Sequence, residues 1–214
     1  MQSPSCVVVD YGIGNVFSVM QALRQLGAEV ELSADLSTIL AADRVILPGV
    51  GAFGKAVDTL RQMGLDEALR KFIATERPFL GICVGMQVLM ERGLEYGTHQ
   101  GLGFFEGEVS RVAQVDETGQ KLRVPLIGWN TPVPTGPDRW NGTPLATTPP
   151  ETDYYFVHSF AVNAADPADV AAIVPVGAGH VTAAIHRDNI FGVQFHPERS
   201  ADGGQAFLAG FLAL

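Results

Sequence analysis

Short, almost wholly apolar runs alternate with longer stretches of helical periodicity through the first half of the chain. "CVVVDYG" (6–12) reads as a buried strand, and "NVFSVMQALRQLG" (15–27) as a helix closing near Gly27. "AEVELS" (28–33) and "RVILPGVG" (44–51) read as further strands, separated by a short helix around "DLSTILAA". One helical stretch from about Lys55 to Thr75 leads into the strand "PFLGIC", and "VGMQVLMERG" (84–93) is expected to form the next helix. Strands alternating with helices predict right-handed βαβ units and a mainly parallel sheet covered on both faces.

The second half has a different rhythm. "FFEGEVSRVAQV", "YYFVHSFAVN", "VAAIVPVG", "HVTAAIHRD" and "IFGVQFHPE" predict strands close together in sequence, some of them antiparallel. The polar, Pro-rich stretch 131–153 is expected to be a long surface loop, and "GGQAFLAGFLAL" a closing helix. The whole of 1–214 reads as one α/β domain with an antiparallel extension of the sheet.

Composition narrows the partners. A hydrophobic content of 47% supports a packed globule, while the net charge of −9 disfavours nucleic acid or an anionic membrane as a general partner. No apolar run approaches the roughly 20 residues needed to cross a bilayer. The N-terminal "MQSPSCVVVDYG" lacks a basic segment followed by an apolar stretch, so no secretory leader is expected. Cys6 and Cys83 make no disulfide framework, and a reduced, cytoplasmic setting is expected.

The candidate chemistry centres on "PFLGICVGMQVLM", where Cys83 stands between Gly81 and Gly85. A strand ending at Ile82, a tight turn at Cys83 and a helix from Val84 would form a nucleophile elbow, with glycines where a Cβ would clash. The helix N-terminus and a nearby base would favour the thiolate. "VQFHPERS" supplies that base: in extended chain residues two apart point the same way, so Glu198 can orient His196 towards sulfur. No second His or Cys stands near at zinc-ligand spacing, so neither a metal nor a cofactor is expected. "LPGVG" opens a strand into a small-residue turn, making the N–H groups of Val50 and Val84 candidates for an oxyanion hole. Gly12 and Gly14 follow the first strand, but the third glycine of a dinucleotide-binding turn would fall at Phe17, so that fingerprint fails.

"PGVG", "GICVGMQ" and "FHPE", in this order, resemble the class I (triad-type) glutamine amidotransferases. The resemblance implies a three-layer, flavodoxin-like fold in which a cysteine attacks the side-chain amide of glutamine and releases ammonia. It carries over Cys83 as nucleophile, His196 as base and Glu198 as its partner. "DYGIGNVFSV", "PLIGWN", "YYFVHSF" and "HPERS" are similar to the glutaminase subunits of imidazole glycerol phosphate synthases, in histidine biosynthesis. That likeness implies Gly51, Gln87, Glu95 and Ser159 around the amino-acid end of glutamine. It also implies a heterodimer with a separate (β/α)₈-barrel cyclase subunit, with Asn15, Trp129 and Arg199 near the interface. His158, beside Ser159, is expected to shape the pocket without taking protons. Three other readings stay open here: a glutaminase serving another pathway, a cysteine hydrolase on the same elbow, and a flavodoxin-like binding module with an inert Cys83.

Overall fold

The computed structural model describes residues 5–214; the first four, where the segment read for a secretory leader begins, lie outside the described residues. Strand β1 (Ser5–Val9) is followed by α1 (Val16–Gln25), β2 (Glu29–Ser33), α2 (Leu36–Ala41) and β3 (Arg44–Gly49). Helices α3 (Phe53–Gln62) and α4 (Leu65–Ile73) precede β4 (Phe79–Cys83) and the one-turn helix α5 (Val84–Gln87). Next come β5 (Met90–Gly93), β6 (His99–Gln100), β7 (Phe105–Arg111), β8 (Leu126–Asn130) and β9 (Val133–Pro134). The chain ends with β10 (Tyr154–His158), β11 (Phe160–Ala164), β12 (Val170–Val176), β13 (Gly179–Arg187), β14 (Ile190–Val193) and α6 (Ala201–Leu212).

Eight strands form the central sheet, in the order β2-β1-β3-β4-β14-β13-β12-β9. Pairing is parallel from β2 through β14 and antiparallel beyond. The alternating strand–helix pattern dictates the parallel half, because each crossover must be helical and right-handed. Strand β4 is buried along all five residues, as a central parallel strand covered on both faces must be. Helices α1 and α6 pack together, as do α2, α3 and α4, giving the two outer layers of the expected α/β fold. Strand order reverses between β1 and β3, and in such sheets ligands bind outside the carboxyl ends of the strands. Two smaller sheets, β10-β8 and β11-β7-β5-β6, complete the strand pairing. Among the described residues no helix is long and apolar enough to cross a membrane.

Four elements differ from the sequence reading. The helix expected over 55–75 is two helices, broken at Gly64, whose φ of 68° is left-handed. The helix expected over 84–93 ends after one turn, and Met90–Gly93 instead pairs with β7. A short apolar run such as Val88-Leu89-Met90 fits a buried strand as well as a helix, and the free edge of β7 decides it. "YYFVHSFAVN" is cut at Ser159 into β10 and β11, which belong to different sheets. The 131–153 stretch is more than a surface loop: β9 pairs with β12, and a 3₁₀ turn at Pro144–Thr147 packs Leu145 against α6.

A very tight backbone approach lies beneath α5. A Cβ on Gly85 would sit 1.8 Å from the Leu47 carbonyl oxygen, and one on Gly81 would sit 2.6 Å from the Gly85 oxygen. Both obstacles are main chain, which cannot rotate away. Gly85→Ala is therefore expected to lose about 3 kcal/mol or more, the upper range for overpacking. A urea midpoint equal to that of the unsubstituted chain would contradict this packing.

Candidate active site

Strands β3, β4 and β14 lie side by side and parallel, so they end on the same edge of the sheet. The register places Gly49 beside Cys83 and Ile82 beside Val193. With neighbouring strands about 4.8 Å apart, the residues that follow each strand must converge. Three segments distant in sequence thus supply one site: Val50-Gly51, Cys83-Val84 and Gln194 to Glu198.

Cys83 has φ 55° and ψ −111°, a conformation that a residue with a Cβ rarely adopts. Such strain costs of order 1–3 kcal/mol and persists only where the surroundings impose it. Here the glycines at 81 and 85 let the chain double back from β4 into α5, leaving the sulfur at the turn. Val84 opens α5, so its N–H belongs to the first turn and lacks an intrahelical partner.

His196 approaches from β14. Its backbone N–H donates to the Tyr155 carbonyl at 2.9 Å, and its carbonyl accepts from Ser200 Oγ at 2.6 Å, so the ring hangs from a fixed main chain. Ring nitrogen Nδ1 lies 2.8 Å from Glu198 Oε1, and both side chains are almost fully buried. Nε2 is buried without a closed hydrogen bond, as is Glu198 Oε2. Burial alone would lower the His196 pKa. The neighbouring Cys83 sulfur and the Glu198 carboxylate outweigh it and raise the value to about 10. The imidazole is thus poised beside the sulfur and favoured in its charged form when that sulfur is a thiolate.

A cleft of about 490 Å³ opens over the sulfur. Val50, Gly51, Cys83, Val84, Gln87, Glu95, Ser159 and His196 all line it, and Glu198 stands behind His196. Glu95 Oε2 also accepts from the Phe53 N–H at 2.8 Å, which anchors the carboxylate at the start of α3. Gln87 is more constrained than its sequence position suggests. Its Nε2 donates to the Phe160 carbonyl at 3.0 Å and to Gln194 Oε1 at 2.9 Å, using both amide hydrogens. Only its carbonyl oxygen is left to offer a substrate. His158 also lines the cleft. Burial pushes its pKa down to about 4, with His196 as a further lowering influence, so it stays neutral.

The residues expected at a subunit interface lie on neighbouring elements. Arg199 stacks over the Tyr155 ring at 4.5 Å, and Trp129 meets that ring edge-on at 6.0 Å. Asn15 precedes α1, which packs against the Pro197–Arg199 turn, and its Oδ1 accepts from Ser18 Oγ at 2.9 Å. Phe17 and Trp129 are both more than half exposed, as are Tyr96 and Ile127.

Two residues at the site carry no motif-level signal of their own. The Tyr11 hydroxyl is buried and donates to the Pro48 carbonyl at 2.9 Å, pinning the turn that bears Val50. Gln194 Nε2 points at Cys83 Sγ at 3.5 Å. Gln194 stands two residues before His196 on the segment that follows β14. Glu198 lies in a 3₁₀ turn, Pro197–Arg199, and not in the extended chain expected from the sequence, so the turn and not strand alternation sets it against His196.

A family model described as glutamine amidotransferase class-I matches residues 7–213. The chain is 42% identical over 204 residues to the imidazole glycerol phosphate synthase subunit HisH of Rhodopirellula baltica, covering 95% of each chain. It is 42% identical over 207 residues to the HisH subunit of Herpetosiphon aurantiacus, covering 97% of this chain and 93% of that one. Among solved structures it is similar to PurLQS from Thermotoga maritima, with a TM-score of 0.72, 20% identity and 97% coverage of both chains. A crystal structure of a glutamine amidotransferase has a TM-score of 0.68 and 17% identity, covering 97% of this chain and 99% of that one.

The raised His196 pKa has a definite sign. The ring's charged-state contribution to stability is complete below its ordinary value of 6.5 and is lost as pH rises through about 10. In an NMR titration the His196 ring is expected to stay protonated through neutral pH, and Cys83→Ala should move its midpoint down. An unmoved midpoint would mean that the sulfur does not act on the ring.

Proposed function

This chain belongs to the class-I glutamine amidotransferase family, and on that basis we propose that it is the glutaminase subunit of an imidazole glycerol phosphate synthase. The reading rests on one observation above all: a cysteine on a strained strand-to-helix elbow shares a cleft with a buried, carboxylate-paired imidazole.

Cys83 Sγ attacks the side-chain amide carbon of glutamine, and the carbonyl oxygen becomes an oxyanion facing the N–H groups of Val84 and Val50. His196, holding the thiol proton, delivers it to the amide nitrogen; the C–N bond breaks and ammonia departs, leaving a thioester on Cys83. Water, deprotonated by His196, then attacks the thioester and expels the thiolate, giving glutamate. Glu198 keeps Nδ1 of His196 protonated, aims Nε2 at the reacting atoms and stabilises the imidazolium. Around the amino-acid end, the Glu95 carboxylate and the Gln87 carbonyl serve the ammonium, with Gly51 and Ser159 beside them.

The ammonia is used by a partner. The exposed Phe17 and Trp129, with Tyr155, Arg199 and Asn15, suit a docking face for a (β/α)₈-barrel cyclase subunit. That subunit would join ammonia to phosphoribosyl-formimino aminoimidazole carboxamide ribonucleotide, forming imidazole glycerol phosphate and aminoimidazole carboxamide ribonucleotide for the histidine and purine pathways. Such a biosynthetic pair belongs in the cytoplasm.

The test is the complex assembled with its cyclase subunit. Cys83→Ala should cut glutamine-dependent product formation by roughly 10⁴-fold or more, the scale of losing a covalent nucleophile. Synthesis driven by ammonium salts should survive. Loss of both activities would assign the cysteine to folding or assembly.

A further inference from the structure

We propose that Gln194 is a catalytic residue whose side-chain amide donates a hydrogen bond to the Cys83 sulfur whenever that sulfur carries negative charge. The proposal rests on the reading of Cys83 as the thiol nucleophile.

Hydrogen-bond bookkeeping fixes which end of the Gln194 amide faces the sulfur. The Phe160 carbonyl can only accept, so the group 3.0 Å from it must be the Gln87 NH₂. That NH₂ also faces Gln194 at 2.9 Å, and therefore needs an acceptor there, which is Gln194 Oε1. Turning the Gln194 amide over would set two NH₂ groups against each other in a site where Gln194 is fully buried. The donor end is thus committed to Cys83 Sγ, 3.5 Å away.

A neutral thiol is a weak acceptor and makes little use of such a donor; a thiolate is a strong one. The interaction therefore favours the charged sulfur twice in each turnover. It does so before attack on the glutamine amide, and again when water's attack on the thioester expels the thiolate. Gln194 exchanges no proton at either point, so its contribution is independent of its own protonation. The imidazole and the amide also divide the work: His196 moves the proton, and Gln194 holds the charge left behind. Both ride on the bent segment that follows β14, two residues apart, so one backbone delivers them together. The titratable groups facing the sulfur are His196 and, from the segment after β1, the Tyr11 hydroxyl; Glu198 and His158 act through His196. Gln194→Met replaces none of these groups and adds no titratable one.

The measurement is the pH dependence of Cys83 alkylation by iodoacetamide on the full chain, read by peptide mass spectrometry. Cys6 is the internal control, since burial pushes its thiol up to about 12. Gln194→Met removes the donor at similar volume. Gln194→Glu keeps an acceptor for Gln87 but sets an oxygen against the sulfur, and its shape matches, so it serves if the methionine variant fails to fold. The alkylation midpoint of Gln194→Met should rise by roughly one to two pH units, the worth of a hydrogen bond to a charged group. Gln194→Glu should rise at least as far, and glutamine hydrolysis by both should recover partly as pH is raised. A packing role would lower the melting temperature and leave the midpoint in place. Folded variants with an unmoved midpoint would overturn the proposal while the nucleophile reading stands. A wild-type Cys83 reacting no faster than Cys6 would overturn both.

Discussion

The absence of one methyl group, at Gly85, is the constraint from which the site follows. Because no Cβ stands there, the first turn of α5 can settle onto the Leu47 carbonyl of the neighbouring strand. That contact forces the chain to reverse at Cys83 in a left-handed conformation and presents the sulfur outward at the sheet edge. The strain is local and the restraint is not: β3, β4 and β14 on either side are buried strands with a fixed register. A rigid sheet thus supports a bent residue and holds its sulfur in place without a dedicated loop.

The same edge explains why the partners of the sulfur come from opposite ends of the chain. Parallel order makes β14, the last strand, the neighbour of β4, and so brings residue 196 to residue 83. Burial then strengthens the electrostatics. His196, Glu198 and Gln194 are all withdrawn from water, where a charge–charge contact or a directed N–H matters far more than at the surface. Two neighbours are kept from competing: His158 is held neutral by burial, and the Tyr11 hydroxyl is committed to Pro48. The glutamines at 87 and 194 satisfy each other, which fixes the direction of each amide and leaves one carbonyl facing the cleft and one N–H facing the sulfur.

The parallel half was readable because its strands are continuous apolar runs and its helices carry clear periodicity; Gly64 concealed a break, and the helix begun at Val84 stops after one turn. The antiparallel half was harder. Ser159 separates two strands that look like one, because a change of sheet leaves no mark on alternation. Met90–Gly93 joins a sheet through an edge supplied by β7, a long-range fact that local pattern does not contain. At the site, Cys83, His196 and Glu198 announce themselves by spacing and by flanking glycine and proline. Gln194 and Tyr11 look like ordinary polar and aromatic residues until their burial and partners are known. Gln87 was visible as one helical turn beyond the cysteine, but the use of both its amide hydrogens by the fold was not.

The central claim is that the sulfur of Cys83 becomes covalently bonded to substrate. Acid-quenching the chain with its cyclase subunit during steady turnover of isotopically labelled glutamine, then mapping peptides, tests this most directly. A labelled glutamyl thioester is expected on the peptide containing Cys83, absent when that residue is alanine. Label on another residue, or none while hydrolysis proceeds, would contradict it.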